Sequence, residues 1–171
     1  MDNTQPTVKW TEIRGKAVVS LENGKKVGTC DDFYFEPQTH EVYALRVKTG
    51  MFSHQILVAA RVNSVGQDAI TIANEAALQS QSEDKKIATL PQGESMLAYK
   101  VLSASGTLIG TVGNILLYTN TPSTLQVAAF ELSGGLREKL GGHYPTFAAS
   151  QVLSYGKDVL VIPDDLAQTF K

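Results

Sequence analysis

Asn23-Gly24-Lys25-Lys26-Val27-Gly28-Thr29 returns as Ser105-Gly106-Thr107-Leu108-Ile109-Gly110-Thr111, with the same spacing between its two glycines. The echo continues downstream. Val42-Tyr43-Ala44-Leu45-Arg46-Val47 with Gly50 is matched by Val127-Ala128-Ala129-Phe130-Glu131-Leu132 with Gly135. Residues 62–72 are matched by residues 152–162, both containing a Val-x-Ser-x-Gly turn. Three blocks in one order read as two copies of a small β domain.

The first copy spans residues 9–73 and the second residues 96–163. Within each, short β-branched and aromatic runs alternate with turn signals, the pattern of an antiparallel sheet or barrel. Asn23-Gly24 supplies the left-handed backbone of a tight hairpin. Glu36-Pro37-Gln38-Thr39 reads as a turn, because Pro37 cannot donate to a ladder. Residues 74–95 read as a polar linker, with a helical turn at its start and a short edge strand at Ile87 to Leu90. Residues 164–171 form a tail whose Asp164-Asp165, following Pro163, suits a helix start. Each copy has roughly 70 residues, and a domain that small buries only about 60% of its unfolded surface. Close packing of the copies, rather than a beaded arrangement, is therefore expected.

Charge excludes one large class of partner. The formal net charge is −2. Residues 1–74 carry eight Lys/Arg and eight acidic residues, and residues 96–171 carry five of each. Neither half has the clustered positive field that phosphate backbones select, so direct nucleic-acid binding is not expected. The charge-poor second copy suggests a buried face. Cys30 is the single cysteine, compatible with a reducing compartment. With no basic-apolar leader and no apolar run of about 20 residues, the expectation is a cytoplasmic protein without a membrane span.

Reactive constellations are scarce. His40, His54 and His143 do not fall at metal-ligand spacing, so no metal is expected. Acidic neighbours disfavour the Cys30 thiolate. Adjacent strand residues point to opposite faces, so Asp31 and Asp32 should not share an acid–base site. No nucleophile elbow, phosphate loop or zinc signature is present. The expectation is a protein that is not an enzyme and holds no cofactor. The glycines have structural readings: Gly24 and Gly106 for positive φ in turns, Gly28 and Gly110 for close approach inside strands.

Gly24, Val27 and Gly28 with Val62-Asn63-Ser64-Val65-Gly66, and Gly106, Ile109 and Gly110 with Val152-Leu153-Ser154-Tyr155-Gly156, resemble the PRC-barrel domain family, in two tandem copies. The family is similar to the cytoplasmic domain of the photosynthetic reaction-centre H subunit and to the C-terminal domain of a ribosome maturation factor. The resemblance implies an all-β fold of two small, strongly bent antiparallel β-barrels joined by the polar linker, acting by protein contact. Three narrower roles stay open: an accessory of a photosynthetic or other membrane electron-transfer complex, a ribosome-maturation-type docking factor, and a small-ligand-binding module. The leading expectation is an adaptor that docks on a protein partner or self-associates as a homo-oligomer.

Two loops are the candidate contacts. Gly134-Gly135 and Gly141-Gly142 bracket Leu136 and Leu140 at helical spacing. Arg137, His143 and Tyr144 in the same loop suit an interface. An ordinary hairpin whose leucines cover its own barrel is the alternative reading. Met51 and Phe52 occupy the matching loop of the first copy, either exposed at its tip or tucked between the barrels.

Overall fold

The computed structural model describes residues 6–120, 125–134 and 144–170. A leading arm consists of strand β1 (Thr7–Lys9) and one helical turn, α1 (Trp10–Ile13). Strands β2 (Ala17–Ser20), β3 (Lys26–Glu36), β4 (Glu41–Lys48), β5 (His54–Val58), β6 (Val62–Val65) and β7 (Ala69–Ile72) follow. Strand β8 (Leu78–Gln79) adds to β5, and a second arm ends in the helical turn α2 (Gly93–Met96). The later half contains β9 (Lys100–Ser103), β10 (Leu108–Tyr118), β11 (Leu125–Ser133), β12 (Thr146–Ala148), β13 (Ser154–Tyr155) and β14 (Val159–Ile162). A short helix, α3 (Asp164–Gln168), starts after Pro163 as expected.

The two halves pair their strands in the same way. β2–β3, β3–β4, β4–β5 and β6–β7 are antiparallel, and so are β9–β10, β10–β11, β11–β12 and β13–β14. Even the irregularities recur. The ladder shifts between Cys30 and Asp32 and between Tyr34 and Phe35, then again between Val112 and Asn114 and between Leu116 and Leu117.

Two features differ from the expected pair of antiparallel barrels. All described strands belong to one 14-stranded sheet whose path runs from β13 to β6 without closing. Each half also contains a parallel pair, β2 with β7 and β9 with β14. Those partners are separated by the intervening strands, a connection long enough for parallel pairing, which a tight hairpin cannot provide.

The halves meet where β4 and β11 run antiparallel, with Val42 opposite Leu125 and Glu41 opposite Gln126. The Val127 N–H donates to the His40 carbonyl at 2.8 Å. The matching ladders make Val42 equivalent to Val127, and therefore Glu41 equivalent to Gln126. Equivalent positions thus face each other, and a pseudo-twofold axis passes between them.

The arms cross that axis. β1 pairs with β10 of the other half, and the second arm returns the exchange through a bridge from Gln92 to Tyr34 of β3. Where each arm docks, a buried polar residue receives it. Asp32 accepts from the Glu94 N–H at 3.0 Å, and Asn114, the equivalent residue, donates to Thr11 Oγ1 at 3.0 Å. Trp10 lies edge-on to Phe33 at 4.9 Å, and its indole N–H donates to Glu94. Arg14 donates to both Glu94 carboxylate oxygens, at 2.8 and 3.0 Å. One apolar core runs through both halves, and Phe35 touches Phe130 and Tyr155 across the junction.

Residues 74–95, read as a linker, pack against the first half. A 3-10 turn at Glu75–Ala77 is capped by the Asn74 side chain, and β8 follows it. The edge strand expected at Ile87 to Leu90 is instead a 3-10 turn, Ile87–Thr89. The edge is already taken by β8, and Ile87 turns inward onto Tyr34, Ala44 and Ile56.

Gly24 and Gly106 adopt φ of +69° and +94°, the left-handed turn geometry expected. Gly28 sits inside β3, where a Cβ would stand 2.6 Å from the Lys48 carbonyl oxygen and 2.5 Å from Val47 Cγ1. Gly110 is buried at the equivalent place in β10, opposite Val101. Gly28→Ala must displace backbone, so it is expected to cost about 1–3 kcal/mol. A urea midpoint unchanged from the parent protein would refute that.

Candidate protein-interaction surfaces

Met51 and Phe52 form the tip of the β4–β5 hairpin. The Thr49 N–H donates to the Ser53 carbonyl at 2.9 Å, and the two hydroxyls lie 3.2 Å apart, closing the loop beneath them. Phe52 is 91% exposed and Met51 78%. Of the two readings open at these residues, exposure at the tip is the observed one. Other exposed large apolar residues, such as Leu21, Leu108 and Leu153, do not share a loop with them.

The base of this hairpin is tied by ions. Arg46 donates from Nε and a terminal nitrogen to the two Asp31 oxygens, at 2.9 and 3.3 Å. His54 Nε2 lies 3.0 Å from Asp31 Oδ2. The cluster joins β3, β4 and β5 directly behind the tip, and the Asp31 hydrogen bond holds the Arg46 guanidinium more firmly protonated than usual. Sequence reasoning did not find this trio, because it forms only once the bulge in β3 turns Asp31 outward. Asp32 is buried beneath the second arm, where it accepts from Glu94 and Gln92, so the two adjacent carboxylates hold different partners.

The second loop begins at Gly134, with φ of +73°, and ends at Tyr144 and Pro145. Leu136, Arg137, Leu140 and His143 lie outside the described residues. Tyr144 is half-buried at the loop's end. β4 and β11 leave the junction in opposite directions, which carries the Met51–Phe52 tip and Gly134, at the end of β11, away from each other.

Burial, reinforced by Asp31, pushes the Cys30 thiol up to about 12, which leaves almost no thiolate at neutral pH. His40 has φ of +64° in the turn before β4, and its carbonyl is committed to Val127. No group of three or more His, Cys, Asp or Glu that could hold a metal occurs among the described residues. No helix among them is long and apolar enough to cross a membrane.

Residues 6–79 match the sequence model of the PRC-barrel domain family. The PRC-barrel match begins just before β1 and ends on the last residue of β8, so it includes both the crossing arm and the strand added to β5. Met51, Phe52 and the Asp31 cluster all lie inside it. No curated protein matches the chain.

Proposed function

We propose that this chain is a non-catalytic docking module built from two PRC-barrel-like units, residues 9–73 and 96–163, and that it contacts a protein partner through the Met51–Phe52 tip. The PRC-barrel match supports a protein-interaction role in general. The mirrored strand pairing supports a second unit. The exposed tip carries the choice of surface: two large apolar side chains stand clear of the fold, on a loop closed by its own hydrogen bonds. Such side chains contribute little to folding and gain most on burial by a partner.

Replacing Met51 and Phe52 together by Ser is expected to weaken partner capture about tenfold to a hundredfold. Stability should move by no more than about 0.5 kcal/mol, because both residues are exposed. In-cell crosslinking with the full chain, followed by identification of captured proteins, provides the comparison. A double variant that melts normally and captures the same proteins in the same yield would sink this reading.

A further inference from the structure

The outer face of the first half is covered by the chain itself. β8 lies along the far edge of β5, with Leu78 opposite Leu57 and Gln79 opposite Ile56. Beyond it, Gln81 donates to the Tyr34 hydroxyl at 3.1 Å and the Tyr43 hydroxyl donates to Asp84 at 2.6 Å. Lys86 sits 4.9 Å above the Tyr43 ring and 3.5 Å from Glu36. Ile87 is buried beneath them.

The pseudo-twofold axis carries β5 onto β12, and Tyr43 and Ala44 onto Ala128 and Ala129. No described strand lies on the far side of β12. Here the chain after β14 enters α3, and Phe170 packs on Phe147 at 6.2 Å instead of extending along the edge. A groove of about 630 Å³ remains, lined among others by Pro6 and Thr7 of the leading arm and by Tyr118, Ala128, Thr146 and Gln151. Pro145 turns its carbonyl toward β11, where it accepts from the Leu132 N–H at 2.8 Å. Strand alternation then aims the Thr146 N–H and C=O at the open edge.

We propose that this groove receives an extended, uncharged segment of a partner protein, added as a strand to β12 with a large apolar side chain over Ala128. The strand form follows from β8, which occupies the equivalent edge of the same fold. Main-chain pairing at an open edge gives affinity, and the side-chain pockets give selectivity. The lack of charge follows from the lining. Glu36 and Tyr43, which receive Lys86 and Asp84 in the first half, are replaced by Tyr118 and Ala128, so a buried charge would find no counterpart. The large apolar side chain follows from Ala128 itself, which leaves empty the volume that the Tyr43 ring fills. This surface lies on the other half from the Met51–Phe52 tip and does not depend on it.

The test screens the full chain against an array of ten-residue peptides grouped as uncharged apolar, acidic and basic. Dissociation constants of the best peptides are then measured by fluorescence polarisation. Uncharged apolar peptides should bind. Ala128→Tyr, which restores the first half's ring, and Thr146→Pro, which removes the edge N–H, should each weaken binding at least tenfold with normal melting. The Met51/Phe52 double Ser variant should bind as the parent does, which separates failure here from failure at the tip. Preference for charged peptides, absence of binding, or indifference to both groove variants would overturn the proposal. So would a tenfold gain on removing residues 1–5, since the groove would then belong to the chain's own terminus.

Discussion

Trp10→Ala is expected to lower the unfolding free energy by about 3–5 kcal/mol, the range for truncating a buried aromatic residue. Trp10 is fully buried, lies edge-on to Phe33 and donates to Glu94. Collapse around the lost indole is hindered, because its neighbours come from α1, β3 and the second arm at once. Across from it, a Cβ on Gly93 would already stand 2.1 Å from the Phe33 ring, so the site is close-packed. Trp10 is the chain's one tryptophan, so the variant must be followed by far-ultraviolet circular dichroism rather than indole emission. The transition should remain single, with both halves lost together. A loss below about 1 kcal/mol would mean that the crossing arms contribute little.

Asp32→Ala should cost a comparable amount, for a different reason. Asp32 accepts from the Phe33 N–H at 2.8 Å, the Glu94 N–H at 3.0 Å and Gln92 Nε2 at 3.2 Å. Each donor left unpaired in the interior costs about 1–3 kcal/mol. Asp32→Asn keeps an acceptor and copies Asn114, which stands at the equivalent place. Burial raises the Asp32 carboxyl above its usual 3.8, against the lowering effect of the Glu94 and Phe33 N–H groups. The folded protein therefore holds this proton more tightly than the unfolded chain. The resulting stabilisation is complete below pH 3.8 and is lost as pH rises through the elevated value. Asp32→Asn should accordingly melt above the parent at neutral pH, with the gap closing as pH falls toward 3.8. A gap independent of pH would show that Asp32 titrates alike in both states.

The repeat made much of this architecture legible. Paired glycines at matching spacing marked the hairpins, and the three repeated blocks became the mirrored ladders. Asp31 and Asp32 take different partners, but the ladder shift between Cys30 and Asp32 sets this, and simple alternation did not foretell it. The crossing arms were not legible. β1 and α1 are too short to carry a periodic signal, and their partners lie about a hundred residues away in Leu116 and Asn114. Residues 74–95 looked like a tether because their docking contacts are polar: Gln81, Asp84 and Lys86 bind hydroxyls, a ring and a carboxylate. The groove was hidden for a related reason. It arises from the replacement of Tyr43 by Ala128 and from the different path after Ile162, and neither leaves a motif. The Met51–Phe52 tip was legible as residues, but its exposure depended on the short hydrogen-bonded loop between Thr49 and Ser53.

The facing of Glu41 and Gln126 has a further meaning. Two identical chains arranged about the same axis would have to set glutamate against glutamate there, and like charges directly opposite on neighbouring strands destabilise a sheet. They would also have to place either two indoles or two bare glycines where Trp10 and Gly93 share one space. Joining the two halves in one chain removes that constraint. Each place beside the axis can be occupied by two different residues, one shaped to the other, and the molecule can keep one outer face closed while leaving its twin open.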